Sequence, residues 1–295
     1  MRVNPDPYPD LLAAVAQTQQ QVNTDEEQIA TGMSVNAPSD DPAAAAELVQ
    51  NADQTSQVDQ FQRSLGSIQG EVQNADSALS SVTAALQQAI TLGTEGANGT
   101  LNSSDRAAIA AQVQGIQSQL LSLANLTYQG NYVFAGTATQ TPPYVLDANS
   151  PSGVTYQGNS GVNSVTLGNN FSLQTNLPGS ELFSNAGSDV FQSIQDLING
   201  LVSGNGIGTA VNEVSNSLNY VDQQSVFYGN ALSQLNSQQT FLSSEGTQLA
   251  AQDNTIGGAD LPAVISNLTS SQVSLQATLE AIGQTSQNNL FNYLK

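Results

Sequence analysis

Two carboxylates stand side by side at Asp40 and Asp41, inside the stretch QIATGMSVNAPSDDPAAAA from Gln28 to Ala46. Paired oxygens of this kind can ligate a metal or exchange a proton in general acid–base chemistry. Adjacent side chains in a helical turn point apart, however, and the only further acid nearby is Glu47. A joint between two helices gives every residue a task. Gly32 stops the first helix, Ser39 or Asp41 caps the second, and Pro42 fits its first turn. We read Gly32, Met33, Asn36, Ser39, Asp40, Asp41 and Pro42 as a helix-joint motif rather than a metal or catalytic site.

Other candidates for chemistry are thinner. The chain has no Cys, no His and no Trp. That removes the commonest general base, thiolate catalysis and nearly every zinc site. Asp222, Glu245, Asp253 and Asp260 are scattered and lack basic partners, so nothing supports a glycosidase pair. The glycines of GNGIGTA, Gly204–Ala210, match no phosphate loop and read as a flexible link. Asn98, Asn102, Asn125, Asn170 and Asn267 each open an Asn-x-Ser/Thr triplet, which chance explains in a chain rich in these residues. Tyr128, Tyr132 and Phe134 in TYQGNYVFAGT read as aromatic packing at a helix-to-sheet junction. No cofactor and no metal are expected, and the protein is not expected to be an enzyme.

Charge narrows the partners. Over 295 residues, 24 acids oppose four bases, Arg2, Arg63, Arg106 and Lys295, for a formal charge of −20. A phosphate backbone or an anionic membrane is bound through clustered Lys and Arg, so neither partner is expected. No apolar run approaches the ~20 residues that span a bilayer. The N-terminal MRVNPDPYPD has no apolar core of a secretory signal, and its three prolines predict a non-helical, disordered start.

The elements are long amphipathic helices. A first stripe, Tyr8, Leu12, Val15, Gln19, Val22, Glu26, Ile29 and Met33, advances by fours and threes over a helix from Leu11 to Thr31. A second runs from Val58 through Leu65, Val72, Leu79 and Leu86 to Ala89, on a helix from Pro42 to the GTEGANGT segment at 93–100. A third helix starts at Ser103 or Ser104, either a good N-cap. From Gly136 the alternating runs GVTYQG, NSVTLG and FSLQT, with many turn residues, predict a small β-rich insert. Helix returns at SDVFQSIQDLING, capped by Ser188 or Asp189 and stopped by Gly200. A long stripe from Val211 to Leu249 follows, DNTIGGAD at 253–260 breaks it, and a last stripe contains Leu261, Ile265, Leu268, Gln272, Leu275, Leu279, Ile282, Ser286, Asn289 and Tyr293.

The fold class expected is therefore mainly α: long antiparallel helices or coiled coil with a small β-rich inserted domain. Three parts are expected: a terminal coiled-coil domain from 1–38 and 254–295, partly disordered in the monomer; a helical core from 39–135 and 187–253; and a β-rich insert at 136–186. The terminal seam is expected at Leu12, Val15, Val22, Ile29, Ile265, Leu268, Leu275, Leu279 and Ile282. A two-per-heptad stripe buries only against another helix, and one such pair is marginal in water. The ends are expected to pair with each other and to need neighbouring molecules.

The segment IATGMSVNAPSDDPAAAA resembles the N-terminal signature of the bacterial flagellin superfamily. ANGTLNSSDRAAIAAQVQGIQSQLLSLAN, residues 97–125, followed by GNYVFAGTATQTPPY, residues 130–144, is similar to the hook–filament junction members of that superfamily. The resemblance implies a structural adaptor between hook and filament that assembles as a ring through its terminal helices, with a flagellin that builds the filament as the alternative. It implies as partners further copies of itself, the first junction protein, flagellin, an export chaperone and the export apparatus, and an extracellular place on the flagellum reached without a cleaved signal peptide. An enzyme displayed on a filament would need an H-E-x-x-H zinc helix, which a chain without His cannot supply. The superfamily has two basic residues after the joint glycine where this chain has Met33 and Ser34; apolar contact by Met33 is expected in their place.

Overall fold

The computed structural model describes residues 8–167 and 171–291. In chain order the elements are α1 (Tyr8–Thr31), α2 (Pro42–Gly96), α3 (Ser103–Ala124), β1 (Thr127–Tyr128), β2 (Asn131–Tyr132), β3 (Tyr144–Leu146), β4 (Val154–Tyr156), β5 (Ser164–Leu167), β6 (Phe171–Gln174), α4 (Gly179–Leu182), α5 (Val190–Ser203), α6 (Ile207–Gly257) and α7 (Leu261–Phe291). They form two units. One holds the residues up to Asp59 and those from Ser243 onward; the other is Gln60–Leu242.

The Gln60–Leu242 unit is built on heptads. Leu65, Val72, Leu79 and Leu86 of α2 are wholly inaccessible, with Ala75, Val82 and Ala89 between them. Val214, Val221, Tyr228, Leu235 and Leu242 supply the facing stripe of α6 at strict sevens. Steps of three and four keep one narrow stripe of each helix turned to its neighbour. The two helices run antiparallel, since Gln69 donates to Asn236 at 3.0 Å and Thr83 to Asp222 at 2.9 Å. Ile109, Val113, Ile116 and Leu120 of α3 and Ile194, Leu197, Ile198 and Leu201 of α5 complete this core.

The strands form three separate antiparallel hairpins, β1–β2, β3–β4 and β5–β6. The alternating runs named above become β4, β5 and β6. Strands β1, β2 and β3 carry no such run; β1–β2 is made by its turn, where Gln129 (φ 49°) and Gly130 (φ 84°) take the two positive-φ positions of a primed hairpin turn. An aromatic cluster anchors this region. Tyr144 stacks against Tyr156 and Phe191, and Phe134 meets Phe183 edge-on at 5.3 Å. The Tyr144 hydroxyl lies 2.7 Å from the Gly179 carbonyl and 3.0 Å from Ser184. NYVFAGT is thus a core segment: Val133, Phe134, Ala135 and Gly136 are all buried.

Several local expectations move. α1 begins at Tyr8, not Leu11, because Pro9 falls in its first turn, where a missing N–H costs nothing. Asn102, not Ser103 or Ser104, caps α3: its Oδ1 accepts from the Ser104 and Asp105 amides at 2.8 and 2.9 Å. Asp189 rather than Ser188 caps α5. Gly200 does not stop α5. It is buried within the helix, which continues to Ser203 and ends on Gly204 in the left-handed region (φ 77°). The GNGIGTA link shrinks accordingly, since α6 already starts at Ile207. The expectation of disorder at residues 1–7 lies outside the described residues.

Candidate assembly joint and terminal helix pair

The residues singled out in the sequence converge on the unit that contains both chain ends. Gly32 takes φ +71° and donates its amide to Gln28 O at 2.9 Å, closing α1. The chain then pairs briefly with the α6–α7 turn. Met33 and Gly258 form an antiparallel bridge, Ser34 N donates to Gly257 O at 2.6 Å, and Ala259 N donates to Gly32 O at 3.0 Å. The Ser34 hydroxyl adds a second bond to Gly257 O at 3.1 Å. Close approach here needs glycine: a methyl group on Gly257 would press on Met33 and Leu48, and one on Gly258 would overlap the Asn254 carbonyl. DNTIGGAD is thus more than a break in the stripe, since its two glycines, Gly257 and Gly258, receive the joint. Met33, in place of a base, packs its methyl against this turn.

Both carboxylates are spent on backbone. Asp40 Oδ2 accepts from the Ala37 and Asn36 amides at 2.8 and 3.0 Å. These bonds, that from Ala37 foremost, hold its carboxyl below the ordinary aspartate range. Asp41 Oδ1 accepts from Ala43 and Ala44 at 2.9 and 3.0 Å and is the N-cap of α2, with Pro42 as first helical residue. Ser39 only approaches Asp40 at 3.5 Å. Asn36 Nδ2 donates back to Met33 O at 3.0 Å. Among the described residues no group of three or more His, Cys, Asp or Glu is arranged to hold a metal. Beyond the joint, α2 is tied to α6 by Asn51, which is buried and donates to Leu249 O at 3.0 Å and to Asp253 at 2.8 Å. The sequence offered no signal for that pair, because its members lie about two hundred positions apart.

α1 and α7 pack antiparallel. The residues turned inward are Leu11, Val15, Thr18, Val22, Asp25 and Ile29 against Val264, Leu268, Ser271, Leu275, Thr278 and Ile282, again at fours and threes. Four of these twelve are polar, which weakens the seam. Val22, Asp25 and Val264 are buried and the others half-buried or partly open. Asp25 accepts from Gln21 at 2.9 Å through Oδ1, while its Oδ2 has no partner. Of the expected seam residues, Val15, Val22, Ile29, Leu268, Leu275 and Ile282 lie in the contact. Leu12, Ile265 and Leu279 lie outside it, 46%, 52% and 51% exposed, and Leu261 joins them at 40%. The apolar stripe of α7 is wider than its contact with α1, and one edge of it faces outward. Ser286, Asn289 and Tyr293 lie outside the residues whose side chains are described.

The Asn-x-Ser/Thr triplets also resolve. Asn102 is a helix cap. Asn125 binds the backbone of Tyr144 with both amide atoms, donating at 2.8 Å and accepting at 2.9 Å. Asn170 lies outside the described residues.

Residues 8–139 match the bacterial flagellin N-terminal helical region. Over 119 residues the chain is 41% identical to flagellar hook-associated protein 3 of Escherichia coli, a stretch that is 40% of this chain and 38% of that protein. It is 23% identical over 271 residues to flagellin of Listeria monocytogenes, covering 89% of this chain and 87% of the other. The flagellar junction protein FlgL from Legionella pneumophila superposes with a TM-score of 0.60 at 14% identity, over 72% of this chain and 99% of that one. The sequence likeness to the flagellin superfamily lies in residues 8–139, and the fold is that of the Legionella junction protein. Over that N-terminal stretch the chain is similar to hook-associated protein 3. The matched stretch spans little more than a third of the length of that hook-associated relative.

Proposed function

We propose that the protein is a structural adaptor at the hook–filament junction of a bacterial flagellum, assembling as a ring through its terminal helices. The observation that carries this reading is the outward edge of the α1–α7 pair, where Leu12, Leu261, Ile265 and Leu279 remain open to solvent beside a seam already diluted by polar residues. Apolar stripes of this kind are covered by further helices. The 41% identity to hook-associated protein 3 supports the junction over the filament as the place. On this reading 1–38 and 254–295 form the terminal coiled-coil domain through which the protein assembles, 39–135 and 187–253 the helical core, and 136–186 the β-rich insert. The Gly32–Pro42 joint sets the angle at which α1 and α2 meet. Neighbouring copies, the first junction protein and flagellin are the partners in the assembled structure. An export chaperone and the export apparatus handle the chain before it reaches the cell exterior. The role is structural rather than enzymatic.

A deletion strain tests the adaptor. Hooks should remain while flagellin accumulates in the medium as monomer, and restoring the gene should restore filaments. Full filaments in the deletion strain would overturn the reading in favour of a filament subunit.

A further inference from the structure

A polar cavity of about 240 Å³ opens in the Gln60–Leu242 unit, lined by Ser67 and Glu71 of α2, Tyr128, Gln129 and Asn131 of the β1–β2 hairpin, and Thr139 and Asn163. Three features distinguish it from an ordinary surface hollow. Glu71 is half-buried, burial alone pushes its carboxyl above the usual range, and neither hydrogen bond nor cation offsets that burial. Tyr128 lies across the backbone of α2 at Gly70, where a methyl group would overlap its hydroxyl, so the glycine makes room for a phenol next to Glu71. Nearby, burial foremost, and with it the charges of Glu71 and Glu181, push the Tyr228 phenol up. A desolvated carboxylate beside neutral amide and hydroxyl acceptors is matched by a positive hydrogen-bond donor. A neutral polyol would leave the charge uncompensated. Neither Arg63 nor Arg106, the two bases among the described residues, lines the cavity.

We propose that this cavity receives a basic side chain, a lysine ammonium or an arginine guanidinium, presented by a partner protein. The proposal is independent of the flagellar reading, since it rests on this unit and not on the terminal helices. The test is an NMR titration of the full chain, isotope-labelled, with argininamide. Backbone signals of Glu71, Gln129, Gly130, Asn131 and Asn163 should shift together and saturably. Glu71→Gln should weaken the response about tenfold or more, as expected for loss of a charge-assisted hydrogen bond. Gly70→Ala, which displaces Tyr128 and leaves the charge, should also weaken it. Glu213→Gln, which removes an exposed carboxylate of the same unit, should leave it unchanged. Equal titration of parent and Glu71→Gln would overturn the proposal. So would an equal loss in Glu213→Gln, or the same shifts produced by galactose in place of argininamide.

Discussion

Asp40 and Asp41 are neighbours whose oxygens serve different amides, one folding the loop back on Asn36 and Ala37, the other starting α2. Asp41→Ala leaves the Ala43 and Ala44 amides without their acceptor and should cost about 1 kcal/mol, the usual worth of an N-cap, measurable by urea denaturation. Glu71 gives a pH dependence. Its raised carboxyl holds its proton to higher pH in the folded chain than in the unfolded one, so stability falls as pH rises through the window just above the ordinary glutamate range. Glu71→Gln removes that cost. The variant should therefore be more stable than the parent at neutral pH, and the gap should close below the ordinary carboxylate range; a gap independent of pH would contradict the assignment. Cap chemistry is local, which is why Pro42 was legible in the sequence and Asp41 and Asp189 each stood as one of two candidate caps. Asn102 was not, because Asn102, Ser103 and Ser104 are three good caps in a row and local preference does not rank them. Gly70 and Gly257 were opaque for another reason: the atoms that crowd them, from Tyr128 and from Met33 and Leu48, come from remote parts of the chain.

Among elements, the helices were readable because a heptad stripe states both the element and the face it buries. α2 and α6 keep that stripe through Leu65–Ala89 and Val214–Leu242. The hairpins were half-readable. β4, β5 and β6 alternate, whereas β1–β2 is two residues a side and owes its existence to the Gln129–Gly130 turn. The exposed edge of α7 was legible as a stripe but not as an edge, since which side of it α1 covers depends on packing between chain ends. The joint is the element where one substitution reads out geometry. Gly258→Ala should push the added methyl into the Asn254 carbonyl and separate the Met33–Gly258 bridge. Hydrogen exchange should then accelerate at the amides of Ser34 and Ala259, which donate across that bridge. Unchanged protection at both would mean that the turn absorbs the methyl and that the glycines are not required there.

For the molecule as a whole, the distinction that matters is between side chains that hold α1 on α7 and side chains that the pair leaves open. Val22 and Val264 belong to the first group, at 5% and 8% exposure; Ile265 and Leu279 belong to the second. Ile265→Gln with Leu279→Gln removes apolar surface that is already half in water, and surface exchanges of this type are usually worth no more than about 0.5 kcal/mol each. The thermal midpoint of the purified chain should therefore hardly move. Val22→Gln with Val264→Gln buries two amides in the seam and should cost several times more, with faster proteolysis of both ends. If the proposed ring forms through the open edge, the first double variant should fold as the parent does yet fail to retain flagellin on the cell, with filament protein recovered from the medium. A first variant that supports full filaments would show that the exposed edge is not the contact, however well the chain folds. Comparing the two pairs separates loss of assembly from loss of the helix pair, because only the second weakens the isolated subunit.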